Sequence, residues 1–326
     1  MSELLQVRGL DVEFPVPGGA FRVLDEVSFS VQENEIVGVV GESGSGKSTT
    51  VRSVIQLHKP ARITAGSVVF GGRELHRAKP KELRRIRGRE IGFVAQSPFD
   101  ALNPVLRIGK QFENVIRAHE SASRADVRAR ALDLLASTGI PDPARTLDGF
   151  PHELSGGMAQ RTVIALALSL GPRLLIADEP TTALDLTVQR QVLDLIRGLV
   201  RESRRSMLLV THDLGVVANY CDRVVVMYSG RVVEVGDVAT VFADPRHPYT
   251  RALLDAATTD IRQDTPKAAP ARRDPAPGCN FAHRCPRADG VCTDERPPLT
   301  VTDPGHGFGC HHPLSIEVTS SAGTRR

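Results

Sequence analysis

The sequence predicts an α/β fold with a largely parallel central sheet, and three observations carry that prediction. Strand-like apolar runs alternate with helical stretches from about residue 35 to residue 215, as in a sheet joined by crossover helices. The run Gly41-Glu42-Ser43-Gly44-Ser45-Gly46-Lys47-Ser48 has the G-x-x-x-x-G-K-S pattern of a phosphate-binding loop and sits between a strand and a helix. A helical stretch, 108–139, splits the strand-rich regions on either side. With 326 residues, 41% apolar and 24% charged, the chain has the make-up of one large and one small globular domain.

The elements follow in order. Residues 4–14 (Val7, Leu10, Val12, Phe14) and 21–31 (Phe21, Val23, Val27, Phe29, Val31) read as strands joined at Pro15-Val16-Pro17-Gly18-Gly19. Glu35–Val40 is an apolar strand, and 49–57 is a helix with Val51, Val54 and Ile55 on one face, stopped before Pro60. Between them, glycines let backbone N–H groups curl around an anion that the helix start also favours. Lys47 is placed for β- and γ-phosphates and Ser48 for Mg²⁺. Val68–Phe70 is a strand before Gly71-Gly72, 80–89 a helix, and Ile91–Val94 a strand ending at Ala95-Gln96-Ser97-Pro98. In the insertion, Phe112, Val115 and Ile116 form one apolar face and Val127, Ala131, Leu134 and Leu135 another.

Leu154-Ser155-Gly156-Gly157-Met158-Ala159-Gln160-Arg161 leads into an apolar helix over 162–170. Leu174–Asp178 is a buried strand whose terminal acid can hold Mg²⁺, and Glu179 beside it can polarise an attacking water. An amphipathic helix over 188–200 and a strand over 207–210 lead to Thr211-His212-Asp213. Residues 223–227 and 231–236 form a closing hairpin around Ser229-Gly230. Beyond it, 241–256 is helical and broken by Pro245 and Pro248, 262–278 is a linker, and the tail after 318 is disordered.

Composition also excludes. A net charge of only +3 gives no electrostatic case for nucleic acid. Arg84, Arg85, Arg87 and Arg89 read as a solvated helix end. No apolar run reaches membrane-spanning length, since Val163–Ala177 is broken at Gly171-Pro172-Arg173. The start Met1-Ser2-Glu3 lacks the basic and apolar regions of a secretory signal, so a cytosolic protein is expected.

Taken together, the phosphate loop, Leu154-Ser155-Gly156-Gly157 and the Asp178-Glu179 strand end resemble the ATP-binding-cassette (ABC) ATPases. The resemblance implies a P-loop cassette over 1–240: a RecA-like core, an antiparallel β subdomain and a helical subdomain at about 100–160. It implies ATP and Mg²⁺ bound by Gly41, Glu42, Ser43, Gly44, Ser45, Gly46, Lys47, Ser48 and Thr49. Asp178 matches the Walker B aspartate, Glu179 the catalytic glutamate, Gln96 the Q-loop glutamine that senses Mg²⁺, His212 the switch histidine and Asp185 the D-loop aspartate after Ala183-Leu184. Ser155, Gly156 and Gly157 match the signature, which faces the P-loop of a second subunit in a head-to-tail dimer. Phe14 is the match for the residue that stacks on adenine, with Phe21 the other candidate.

Four further stretches narrow the resemblance to the ATPases of oligopeptide, dipeptide and nickel importers. They are Gln96–Pro104, Pro151–Met158, Ala177–Asp185 and His247-Pro248-Tyr249-Thr250. The implied function is ATP hydrolysis coupled to peptide import, with nickel or another solute as other cargo. Implied partners are a second ATPase subunit, two transmembrane permeases and an extracytoplasmic solute-binding protein, at the cytoplasmic membrane face. The competing reading is a non-transport ABC ATPase acting on nucleic acid or ribosomes. One cassette without a long heptad run speaks against it.

The region 241–326 completes the match with a cysteine module at 279–310. Cys279, Cys285, Cys292 and Cys310 are separated by five, six and seventeen residues. In a cytosolic chain this favours metal over disulfides, and spacing leaves zinc and an iron–sulfur cluster both open. The resemblance implies a [4Fe–4S] cluster, while His283, His306, His311 and His312 keep a mixed zinc site in play. So small a module has little core of its own, and a metal would anchor it. Cys221 stands apart and reads as a buried small hydrophobe.

Overall fold

A computed structural model of the chain describes residues 2–182, 184–258, 277–303 and 305–314. Ala183, most of the expected linker and the tail after 318 lie outside the described residues. In chain order the strands are β1 (Glu3–Val16), β2 (Gly19–Gln32), β3 (Ile36–Val40), β4 (Arg62–Phe70), β5 (Arg73–Glu74), β6 (Ile91–Val94), β7 (Leu174–Asp178), β8 (Ser206–Val210), β9 (Arg223–Tyr228), β10 (Arg231–Asp237), β11 (Thr300–Asp303) and β12 (His306–Phe308). The helices are α1 (Lys47–Val54), α2 (Pro80–Ile86), α3 (Pro98–Ala101), α4 (Ile108–Arg117), α5 (Arg124–Ser137), α6 (Pro143–Asp148), α7 (Gly156–Leu168), α8 (Leu186–Glu202), α9 (Leu214–Tyr220), α10 (Val238–Ala243), α11 (Pro248–Thr258) and α12 (Gly290–Asp294).

Two sheets result. An antiparallel one has the order β2-β1-β4-β5, and a larger one the order β11-β12-β10-β9-β3-β8-β7-β6. From β9 to β6 the larger sheet is parallel, and β10, β12 and β11 extend it antiparallel. Every residue of β3, β7 and β8 is buried, because both faces of a parallel sheet are covered and no polar face is needed.

Alternate residues of one strand feed opposite cores. Leu174 and Ile176 join Leu5, Leu24 and Val51 in a core between the sheets and α1. Leu175 and Ala177 join Phe112, Ile116, Leu135 and Ile164 on the face covered by the helical insertion. Both apolar faces expected of the insertion are therefore core, with Val115 and Leu134 at its margin.

Three expectations need correction. Helix α1 ends at Val54, short of the expected 57, and Gln56 has φ +51°. The chain leaves the helix through a left-handed cap, Leu57 N–H donating to Arg52 O at 2.8 Å, and Arg87 takes the next carbonyls: its Nε donates to Ile55 O at 2.8 Å and a terminal nitrogen to Gln56 O at 3.1 Å. Arg87 thus binds the carbonyls just past α1 and is not part of a solvated helix end. The second correction is the hairpin β9–β10, which does not close the sheet, because Glu234 and Val235 of β10 pair with Phe308 and Gly307 of β12.

The third concerns how the cysteine region is anchored. It is fixed to the cassette by several contacts besides any metal. Arg231 pairs with Asp25 at 2.6 Å and donates to Gly278 O at 2.7 Å, and Arg296 donates to Asp25 O at 3.0 Å. Phe281 is buried against Tyr228 and Tyr249, at ring-centroid distances of 5.2 and 5.4 Å. Burying such a side chain contributes roughly 1.5–3 kcal/mol. Cys221 is half-buried between two cores, and burial pushes its thiol up to about 12.

Candidate functional site: a phosphate loop facing two carboxylates

The turn from β3 into α1 needs glycine at two places. A Cβ on Gly41 would lie 2.2 Å from Met227 O, and one on Gly46 (φ +99°) 2.7 Å from Leu24 Cδ2. The loop is held from outside as well. Glu42 N–H donates to Tyr249 Oη at 2.9 Å, and Gly230 N–H to Ser45 O at 2.9 Å. Arg284 grips both carboxylate oxygens of Glu42, at 2.9 and 3.0 Å. Tyr249 and Arg284 lie far along the chain, and no local pattern marks them as supports of this loop.

Lys47 is buried and donates to Gly41 O at 2.8 Å and Glu42 O at 3.0 Å. Burial lowers its pKa; Glu179, Asp178 and Glu42 act the other way and favour the ammonium. Ser48 Oγ donates to Asp178 Oδ1 at 2.7 Å, which brings hydroxyl and carboxylate to one point, the oxygen donor set a hard cation takes. Asp178 is fully buried at the end of β7, and Arg52 pairs with its other oxygen at 3.0 Å. Arg52 has no counterpart among the residues expected from sequence.

Glu179 follows with φ +49°, a left-handed conformation costing of order 1–3 kcal/mol for a non-glycine residue. That backbone turn brings Oε2 to three side chains. Gln96 Nε2 and Thr182 Oγ1 each donate to it at 3.0 Å, and His212 Nδ1 lies 3.8 Å away. Glu179, Gln96 and His212 were expected together; Thr182 was not.

The starts of α7 and α8, which carry Ser155 and Asp185, lie side by side. Ser155 caps α7 by accepting from Met158 N at 3.3 Å. Asp185 caps α8 by accepting from Thr187 N and Val188 N at 3.1 and 3.0 Å. A Cβ on Gly157 would come within 3.2 Å of Val188 Cγ1, so glycine permits close approach of the two helix starts. Among the described residues, the polar contacts of Ser155 run within its own helix start and none reaches the P-loop of the same chain. Phe14 and Phe21 face each other across β1–β2 and are half-buried, so the hairpin alone does not choose between them.

The four clustered cysteines line one pocket together with His247, Phe281 and His312, and all are free thiols. Burial and the neighbouring thiols raise the Cys279 pKa, and Cys310 is pushed up to about 11 for the same reasons. Among the described residues, the group close enough for one small ion is Asp289, Cys292 and His312, whose ligand atoms lie within 4.8 Å of one another.

A model of the ABC transporter family matches residues 24–182, and one described as the oligopeptide/dipeptide transporter C-terminal region matches 233–292. The chain is 44% identical to a probable peptide ABC transporter ATP-binding protein of Sinorhizobium fredii, over 94% of each chain. It is 43% identical to the dipeptide transport ATP-binding protein DppD of Escherichia coli, over 95% of this chain and 97% of that one. It is 41% identical to the oligopeptide transport ATP-binding protein OppD of Bacillus subtilis, over 94% and 88%.

Among solved structures, a dimeric bacterial ABC transporter cassette superposes with TM-score 0.65 at 30% identity, covering 72% of this chain and 98% of that one. A post-hydrolysis cassette dimer bound to ADP and Pi gives TM-score 0.64 at 28% identity, over 72% and 98%. A cassette fold, both family segments and relatives matched almost end to end together make this chain a member of the ABC transporter ATP-binding subunits, in their oligopeptide/dipeptide branch.

Proposed function

We propose that this chain hydrolyses ATP to drive peptide import, as a peripheral subunit at the cytoplasmic face of the membrane. The observation that carries the reading is the convergence of Lys47, Ser48, Asp178 and the Glu179–Gln96–His212 group at the P-loop of a chain bearing both family segments. Lys47 and the loop N–H groups bind the β- and γ-phosphates. Ser48, Asp178 and Gln96 would hold Mg²⁺, which supplies charge neutralisation at the phosphate oxygens. Glu179 orients water and accepts its proton, His212 contacts the γ-phosphate, and Phe14 stacks on adenine. ATP-dependent peptide uptake by vesicles carrying the chain with its permeases and solute-binding protein tests the reading. Uptake of nickel alone, or ATPase activity stimulated by nucleic acid alone, would replace it.

The ATP site is completed by a second subunit. The start of α7 offers backbone N–H groups to an anion, and its own chain's P-loop takes none of them. Ser155→Arg puts a long cation where the partner's γ-phosphate approaches. In mixed dimers it is expected to abolish hydrolysis at the partner's P-loop while nucleotide still binds at the variant chain's own. Photo-crosslinked ATP on each chain reads the difference; loss of binding at the variant's own loop would contradict the arrangement.

The donor set of the cysteine pocket is what supports a metal group there. Four thiols line one pocket, while the three-ligand group close enough for one ion, Asp289, Cys292 and His312, contains only one of them. A [4Fe–4S] cluster ligated by Cys279, Cys285, Cys292 and Cys310 supplies a redox-active anchor there. Anaerobically purified protein is expected to be brown and to carry about four irons per chain, the content of such a cluster. A colourless protein with one zinc would replace the cluster by zinc.

A further inference from the structure

The turn that starts α11 is tightly held, yet among the described residues three of its buried side-chain atoms, Arg246 Nε, His247 Nε2 and Thr250 Oγ1, have no hydrogen-bond partner. Glu234 of β10 is fully buried and accepts from Arg246 N at 2.7 Å and His247 N at 2.9 Å, while His306 Nε2 lies 2.8 Å from it. These bonds fix the backbone that carries His247. Tyr249 N–H then donates to His247 Nδ1 at 3.1 Å. A backbone N–H can only donate, so Nδ1 is the bare nitrogen and the imidazole proton sits on Nε2. Burial also pushes the His247 pKa down to about 4, which keeps the ring neutral.

His247 Nε2–H is therefore a donor of known tautomer. The residue is fully buried, and among the described residues Nε2 has no hydrogen-bond partner. Leaving such a buried donor unpaired is costly, because it gives up its bond to water without a replacement. The ring lines the same pocket as Cys279, Cys285, Cys292 and Cys310. It is not a metal ligand in this arrangement. Ligation through Nε2 would move the proton to Nδ1, straight against the Tyr249 N–H.

We propose that His247 donates its Nε2–H to a sulfur of the iron–sulfur group held by the four cysteines, and thereby raises that group's reduction potential. The inference rests on the cluster reading above. Cluster and thiolate sulfurs carry negative charge, and one-electron reduction increases it. A hydrogen bond to sulfur therefore stabilises the reduced form more than the oxidised form. Burial magnifies the difference, because no water competes for the sulfur.

The test uses full-length protein loaded with iron anaerobically and reduced stepwise by dithionite, followed by visible absorption and electron paramagnetic resonance. His247→Phe keeps an aromatic ring and removes the donor. It is expected to shift the oxidised-to-reduced ratio at least tenfold toward oxidised at fixed potential, about 59 mV lower for a one-electron couple. His247→Gln, which keeps an N–H, is expected to recover part of the shift. Wild-type protein labelled with ¹⁵N-histidine gives a readout independent of any variant: a weak ¹⁵N coupling to the reduced cluster. An unchanged midpoint in iron-replete His247→Phe, or no ¹⁵N coupling in the wild type, overturns the role of His247 and leaves the cluster standing. Absence of iron from the wild type overturns the cluster and this inference with it.

Discussion

Glu179→Gln is expected to cut ATP turnover at least 10²-fold while leaving ATP affinity within a few-fold of wild type, and to make dimers accumulate when ATP is added. Amide replaces carboxylate with almost no change of shape, and its oxygen still accepts from Gln96 Nε2 and Thr182 Oγ1, each at 3.0 Å in the wild type. On the proposed mechanism only the oxygen that would take the proton of water is lost, and general-base catalysis contributes roughly 10²–10⁴-fold. Binding is spared because Lys47, Ser48 and the loop N–H groups are untouched. Phosphate release under single-turnover conditions and size-exclusion chromatography with ATP measure the two effects. Turnover near the wild-type rate would remove Glu179 from the catalytic role.

What the sequence revealed of this site and what it concealed differ in range. Motifs whose chemistry depends on neighbours in the chain were legible. The P-loop needs glycines, Lys47 and Ser48 in one turn, and β7 announces Asp178 and Glu179 through a continuous apolar run. Contacts between distant segments left no such mark. Arg52 reaches Asp178 across 126 residues, Tyr249 reaches Glu42 across 207, and Arg284 reaches it across 242. Each looks locally like an ordinary surface arginine or helix aromatic; the packing of α1 against β7 gives Arg52 its role, and that of α11 and the cysteine region against the loop gives Tyr249 and Arg284 theirs.

The hairpin β11–β12 was concealed for a related reason. Thr300 and Val301 followed by His306-Gly307-Phe308 is too short to show a period. Its partner β10 lies some seventy residues earlier in the chain and already reads as one half of a finished hairpin. Glu234 completes the picture. A carboxylate in the middle of an apolar strand looks like a solvent-facing residue, yet it is fully buried and joins α11 to β12 through Arg246, His247 and His306. Buried acids of this kind are satisfied by partners that only the fold brings together.

Lys47→Ala is expected to weaken ATP binding at least tenfold and to reduce turnover by a further 10²-fold or more. Removing one preorganised donor at a developing charge costs on the order of 10²–10³ in rate, and Lys47 contributes a full positive charge in a nearly solvent-free setting. The loss extends beyond charge, because the ammonium also donates to Gly41 O and Glu42 O. Without it those two carbonyls lose their donor, and Glu179, Asp178 and Glu42 lose the nearby cation whose charge they favour. Lys47→Arg keeps the charge but brings a planar fork where a compact ammonium fits between two carbonyls, so it should not restore turnover. Isothermal titration with ADP and with ATP–Mg²⁺ separates the effects. The ATP deficit should exceed the ADP deficit, since the lysine reaches toward the γ-phosphate. Equal losses for both nucleotides would mean that the substitution only deforms the loop. Unchanged affinity and turnover would take Lys47 out of the site.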